Sequence, residues 1–366
     1  MASIGLEEVC LEYSGKEVLK NVNFSVEDKE LCALVGPSGC GKSLVLRIIA
    51  GLVKPTSGNV YIDGQLANNV PPGERDIAMV FQSFALYPYM TVRENWAFPL
   101  RASKLPQEQV DARIKAMAEF LKMDPLLDRL PRQLSGGQQQ RAALGRALVR
   151  RPRLFLMDEP LGSQDAKKRI EIGTGLKKLQ MDLGITTVLV TNDQIEAQRL
   201  GDKVAVMDLS TLQQVGSPEE VYEKPVNLFV ARFIGSPAIN LFDCTLNRED
   251  EQLYLSHSHF QVPLPPDLAA SVEARVQGDV VVLGVRSEHI RVTLDEQPDS
   301  TPAQIYVFEP QSNEILIDLK VGDLVVRVRE DREDLGFQPQ LDQKAFLTFD
   351  KEFMHVFDKA TELRIN

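Results

Sequence analysis

Gly36, Pro37, Ser38, Gly39, Cys40, Gly41, Lys42 and Ser43 satisfy the spacing GxxxxGK[ST], between an apolar run LCALVG (31–36) and a helical run SLVLRIIAG. Glycines there permit a tight backbone path whose successive N–H groups point at an anion, and the next helix adds partial positive charge from its N-terminus. This is chemistry for a nucleoside triphosphate: Lys42 is placed for the β- and γ-phosphates and Ser43 for Mg²⁺. A second cluster follows the apolar run LFLMD, where Asp158 and Glu159 stand side by side before Pro160. In a parallel sheet such a strand end is where ligands bind. Asp158 would hold Mg²⁺, directly or through water, and Glu159 would polarise the water that attacks the γ-phosphate. The third cluster is LSGGQQQR, in which Ser135, Gly136, Gly137 and Gln138 open a helical run and make a second anion-receptive N-terminus. One phosphate site does not need two such cradles. A head-to-tail pair of subunits accounts for both, each nucleotide lying between the first loop of one chain and the second loop of the other.

The elements that must position these clusters are legible in the apolar pattern. Runs 31–36, 154–158, 186–191 and 203–208 read as strands buried on both faces, so the first two thirds of the chain is expected to be an α/β domain around a parallel sheet. Between residues 84 and 150 the strand signal fades, and Val110, Ile114, Met117, Ala118 and Leu121 recur at helical spacing, which predicts a helical insertion. From about Asn240 the texture changes to short strand-like pieces (QVPL, DVVVLGV, RVTL, AQIYVFE, EILIDLK, DLVVRV, AFLTF) separated by turn residues, which predicts a small antiparallel barrel or sandwich. The boundary is placed at 235/236, with residues 223–240 as the connection.

Composition narrows the function. At 366 residues and 43% hydrophobic, the chain has material for two or three domains with real cores. A formal net charge of −11 disfavours an indiscriminate polyanion binder, and nucleic acid is not an expected partner. The longest apolar-rich run, residues 44–53, is interrupted by Arg47 and is shorter than the ~20 residues of a membrane span. The opening MASIGLEEVC has no secretory pattern, so the chain is expected to stay in the cytosol. Cys10, Cys32, Cys40 and Cys244 are widely spaced and read as reduced thiols.

GPSGCGKS, LSGGQ and LFLMDEP in that order resemble the ATP-binding cassette family, in which LSGGQ is the signature motif and ATP is clamped at a dimer interface. The resemblance implies a P-loop NTPase core with a helical subdomain. It also implies roles for other residues: Tyr13 stacking on adenine, Gln82 in MVFQSFALYP reaching toward Mg²⁺ and water, and Asp165 in a loop that crosses the dimer interface. FIGSPAIN (233–240), GVRSEHI (284–290) and MHVFD (354–358) look like landmarks of the OB-like regulatory tail of bacterial carbohydrate-importer ATPases, of the maltose and glycerol-3-phosphate type. That likeness implies a peripheral subunit at the cytoplasmic face of the inner membrane. Its implied partners are two transmembrane permeases, a second ATPase subunit and, indirectly, an extracytoplasmic solute-binding protein. The tail has two open readings, a ligand-binding regulator or a dimerisation barrel.

Departures from the family pattern open a second functional reading. Leu44 replaces the usual Thr or Ser, keeping a backbone donor for the α-phosphate and losing a hydroxyl; Ser287 stands where Pro is usual. Residues 162–164 read GSQ where Ser, Asn or Ala, and Leu are common. Asn192 in VTNDQIEA replaces the switch histidine; an amide donates a hydrogen bond but cannot carry the imidazole's charge. Glu159 and Gln82 favour an importer ATPase that hydrolyses ATP itself. Asn192 and Leu44 favour a catalytically degenerate ATP-binding partner that supplies its LSGGQ to a complete sister chain. A soluble cassette acting on DNA or ribosomes is disfavoured by the importer-like tail.

Overall fold

The computed structural model describes residues 2–81, 84–162 and 166–366. Its chain divides into two compact units between Val221 and Tyr222.

In the first unit, β1 (Ile4–Tyr13), β2 (Lys16–Val26), β4 (Ser57–Ile62) and β5 (Gln65–Leu66) form an antiparallel sheet in the order β2-β1-β4-β5. A second sheet runs β10-β9-β3-β8-β7-β6, from β3 (Leu31–Val35), β6 (Ile77–Val80), β7 (Leu154–Asp158), β8 (Thr186–Thr191), β9 (Lys203–Asp208) and β10 (Thr211–Gly216). All its pairings are parallel except that of β10 with β9. The four strands expected from the apolar runs are all here, and β3, β7 and β8 are buried at every position. Alternation sorts their two faces. Leu154, Leu156, Val188 and Val190 pack with α1 (Lys42–Ile49) and the antiparallel sheet, while Phe155, Met157 and Leu189 join the core that continues into the helical region.

That helical region comprises α2 (Val92–Ala102), α3 (Gln107–Leu121) and α4 (Gly136–Leu148), inside the expected insertion, and the five apolar positions anticipated for α3 are all buried. Thr91 and Glu94 close a capping box at the start of α2. The indole of Trp96, fully buried, donates to the carbonyl of Ala142 at 2.7 Å. Gly145 allows this approach, because a Cβ there would lie 2.3 Å from the ring. α5 (Ala166–Leu183) and α6 (Gln194–Leu200) flank β8 in sequence, and a short α7 (Pro218–Glu223) runs through the division between the units.

The second unit starts at Tyr222 and takes in α8 (Leu228–Phe233), which precedes the expected boundary at 235/236. The physical reason is the apolar side of α8: Leu228 and Ala231 are buried against Ile239, Val282 and Phe357 of the C-terminal body. One five-stranded sheet is built from β11 (Asn240–Glu249), β12 (Gln252–His257), β13 (Phe260–Pro263), β14 (Val280–Val285) and β20 (His355–Asp358), in the order β13-β12-β11-β14-β20. The other is built from β15 (Ile290–Thr293), β16 (Thr301–Gln311), β17 (Glu314–Val321), β18 (Leu324–Asp331) and β19 (Lys344–Phe349), in the order β15-β19-β16-β17-β18. Both sheets enclose one apolar core, and α9 (Pro266–Arg275) contributes Val272 to it. The unit is the expected small all-β domain, with β11, β12, β20 and α9 in addition to the anticipated strands.

Candidate functional site

The sheet order explains how distant motifs meet. β3 and β7 each pair with β8 in parallel, so the segments after Val35, Asp158 and Thr191 emerge at one carboxyl edge, with Thr191 opposite Val35 and Val190 opposite Asp158. The loop after β3 turns on Gly39 and Gly41, whose φ angles of 84° and 106° side chains tolerate poorly. Gly36 is required for a different reason: a Cβ there would lie 2.0 Å from the carbonyl oxygen of Met207 on β9. Lys42 is buried at the start of α1, and its Nζ donates to the carbonyls of Gly36 and Pro37 at 2.8 and 2.7 Å, bracing the loop from within. Cys40 is buried too, and burial pushes its thiol up while the Lys42 ammonium pulls it the other way. Leu44 packs against the apolar core, and its N–H donates to the Gly41 carbonyl at 2.9 Å, closing the first helical turn.

Ser43 Oγ donates to Asp158 Oδ1 at 2.8 Å, joining the loop to the end of β7. Asp158 is only 4% exposed. Two oxygens in contact at a buried strand end suit a hard cation that takes oxygen ligands. The next residue, Glu159, has a φ of 48°, and its N–H is tied to the Val190 carbonyl at 2.9 Å. Its carboxylate Oε1 accepts from Nδ2 of Asn192, the residue after β8. Loop, paired carboxylates and Asn192 are thus brought together at one sheet edge.

Beneath Asn192 lies a polar network that the sequence reading did not single out. Thr191 Oγ1 donates to Glu196 Oε2 at 2.8 Å and accepts from the Asp193 N–H at 3.0 Å. Asp193 caps α6 through the N–H groups of Ile195 and Glu196 and pairs with Arg169 at 2.8 Å. Glu196 is 4% exposed, and burial pushes its carboxyl up to about 7. The spacing Asp193-Gln194-Ile195-Glu196 has the form of an ordinary helix-start box, in which the glutamate folds back to the cap. That bland pattern hid the contact with Thr191, which places a carboxyl directly under the turn that carries Asn192.

Other anticipated positions stand apart. Ser135 caps α4, its side chain accepting from the Gln138 N–H while Gln138 Oε1 accepts from the Ser135 N–H at 2.9 Å. This preformed N-terminus, opening with Gly136 and Gly137, has no hydrogen bond or ion pair to the phosphate loop among the described residues. Tyr13 ends β1 and is 52% exposed. Gln82 and Asp165 lie outside the described residues.

Comparison with known proteins finds relatives of both parts of the chain. Residues 19–162 match the ABC transporter family model, and residues 235–290 match the MalK OB fold domain. The trehalose/maltose import ATP-binding protein MalK of Thermococcus litoralis is 42% identical over 99% of both chains. The trehalose import ATP-binding protein SugC of Mycobacterium tuberculosis is 48% identical over 80% of this chain and 73% of its own. Among solved structures, a dimeric post-hydrolysis state of the ATP-binding cassette MJ0796 bound to ADP and Pi is 34% identical, with a TM-score of 0.55, covering 59% of this chain and 98% of that one. A phosphate loop and paired carboxylates at one parallel-sheet edge, with full-length likeness to such relatives, give one conclusion: the chain belongs to the ABC transporter ATPases, in the branch whose cassette is followed by a MalK-type OB fold domain.

Proposed function

We propose that this chain is the ATP-binding and ATP-hydrolysing subunit of an importer for a carbohydrate, polyol or glycerol-type solute. It would dock at the cytoplasmic face of the inner membrane beneath two transmembrane permease subunits, with an extracytoplasmic solute-binding protein acting indirectly. The solute class is supported by relatives named for trehalose/maltose and for sn-glycerol-3-phosphate import, 42% and 45% identical. No described helix is long and apolar enough to cross a membrane, which fits a peripheral attachment.

In this reading Tyr13 stacks on the adenine, and the loop N–H groups with Lys42 take the phosphates. Ser43, Asp158 and Gln82 hold Mg²⁺, which would neutralise charge on the phosphate oxygens. Glu159 orients and deprotonates the attacking water, and Asn192 holds the Glu159 carboxylate in place. Residues 135–138 face the phosphate loop of a second cassette, so that ATP closes the pair and hydrolysis reopens it, moving the permeases. The observation that carries this reading is the joining of Ser43 to Asp158 beside the Asn192–Glu159 contact at one sheet edge. In the complete transporter reconstituted in vesicles, Glu159→Gln is expected to keep ATP binding and lower hydrolysis about a hundredfold or more. Undiminished turnover would refute the assignment.

Asn192 favours a second reading. Its amide engages Glu159 but offers no imidazolium for the γ-phosphate, so turnover at this chain's own loop would be slow. The physiological pair would then be a heterodimer, in which a sister ATPase with histidine at that position does most of the hydrolysis against this chain's Ser135, Gly136, Gly137 and Gln138.

A further inference from the structure

The C-terminal unit contains two arginines at one cavity, Arg286 and Arg364, that the nucleotide chemistry does not use. A cavity of about 220 Å³ is lined by Arg286, Arg364, His289 and His355, with Glu223 and Glu352 exposed to solvent at its rim. Arg286 is 1% exposed. Its guanidinium lies over the Tyr222 ring, 3.9 Å from the centroid, and donates to backbone: Nη2 to the Tyr222 carbonyl at 2.7 Å and Nη1 to those of Ala231 and Ile234. Its Nε is buried without a hydrogen-bond partner. Arg364 donates to the Asn366 side-chain oxygen at 3.0 Å and to the Glu223 carbonyl at 3.4 Å. Among the described residues neither arginine has a carboxylate within ion-pair distance. The nearby Glu288 is engaged by the Tyr222 hydroxyl and by Arg329.

His355, the first residue of β20, also lines this cavity; it is only 6% exposed, and its Nδ1 is buried with no hydrogen-bond partner. Buried polar groups are normally satisfied, so an unmatched imidazole beside two guanidinium groups that have no carboxylate within ion-pair distance leaves room for an acceptor that the chain does not supply. Burial, and then the neighbouring Arg364, Arg286 and His289, push the imidazole down to about 3, so it stays neutral. His289 stacks on Phe353 with ring centroids 4.0 Å apart, making a flat wall on one side. The volume is below the ~300 Å³ at which drug-sized ligands begin to fit, so an occupant is small.

We propose that the C-terminal unit binds a small oxyanion, a phosphate monoester or a carboxylate, between Arg364, Arg286 and His355. The site belongs to the second unit alone and makes the tail a sensor of a small anionic metabolite instead of a bare dimerisation barrel. The anion would accept from the free face of the Arg364 guanidinium and from the His355 imidazole, a charge-assisted pairing in a partly dry site.

The test uses the full-length chain carrying Lys42→Ala, so that a phosphate probe is not taken by the loop of the cassette. Calorimetric titrations with inorganic phosphate and, separately, with acetate at constant ionic strength distinguish the two ligand classes. One saturable event with either probe is expected, weakened about tenfold or more by Arg364→Met and less by Arg364→Lys. The imidazole ¹⁵N signals of His355 should shift along the same titration. Absence of binding by both probes, or binding unchanged in both Arg364 variants, overturns the site. Where Arg364→Met does not fold, the His355 signals decide: a saturable shift supports the proposal, and unmoved signals at saturating probe overturn it.

Discussion

The hydroxyl of Ser43 and the carboxylate of Asp158 meet at 2.8 Å although 115 residues separate them in the chain. The contact exists because α1 follows the short loop that leaves β3, and β7 ends one strand away, across β8. Asp158→Ala should therefore do two things: remove a cation ligand and leave the Ser43 hydroxyl without its acceptor. The Mg²⁺ dependence of ATP binding, measured by calorimetry with and without chelator, should flatten, and affinity for Mg-ATP should fall about tenfold or more.

Lys42→Ala removes the cation aimed at the β- and γ-phosphates together with two bonds that brace the loop, to Gly36 and Pro37. Nucleotide affinity or ATP-driven closure should fall sharply, by tenfold or more. Fluorescent-nucleotide binding and ATP-dependent cross-linking of the cassette pair check both.

Asn192→His should raise turnover of the assembled transporter or leave it unchanged. Ser135→Arg fills the second helix N-terminus with a cation and should nearly abolish turnover, as should removing the switch histidine of a sister ATPase. A native complex holding two copies of this chain and turning over at an ordinary importer rate would exclude the asymmetric arrangement. Quantitation of the subunits in the purified complex, alongside its ATPase rate, makes the distinction.

Glu196 should make the stability of the first unit depend on pH. Its carboxyl is raised from 4.5 to about 7 in the folded state, chiefly by burial, so the folded state binds the extra proton. Stability should fall as pH rises from about 4.5 to about 7 and level off above, a loss on the order of 3 kcal/mol before relaxation of the site. Glu196→Gln keeps an acceptor for Thr191 and removes the titration. Denaturant melts between pH 5 and 8 should then be flatter than those of the parent chain.

Gly145→Ala forces a Cβ to 2.3 Å from the Trp96 indole. Because the neighbour is a fully buried ring bonded to Ala142, it has little freedom to yield. Overpacking of this kind costs about 1–3 kcal/mol, and a corresponding drop in thermal midpoint is expected with nucleotide affinity little changed.

A chain ending at Val221 should fold and bind Mg-ATP, since Ser43, Asp158, Glu159 and Asn192 all lie within the first compact unit. One ending at Gly235 should bind as well but expose Leu228 and Ala231, whose partners Ile239, Val282 and Phe357 are then missing. Light scattering should show the longer fragment to be the more prone to associate.

By itself the amino-acid order determined the phosphate loop, the paired carboxylates, the second glycine-led helix start and the alternation of buried strands with helices. Each of these is a local pattern whose chemistry or periodicity lies within a dozen residues. It also located the antiparallel texture of the tail. Only the tertiary structure decided that Asn192 reaches Glu159, because that contact depends on β7 and β8 being neighbours in register. The same holds for Thr191 over Glu196, where a helix-start spacing carried a different partner than its pattern suggests. The compact units divide at 221/222, and α8 lies with the second because it finds its apolar partners in Ile239, Val282 of β14 and Phe357 of β20. The cavity around His355 had no local signal at all: Arg286, His355 and Arg364 converge through strand pairing between β14, β20 and the final residues, and long-range pairing is what a one-dimensional pattern does not carry.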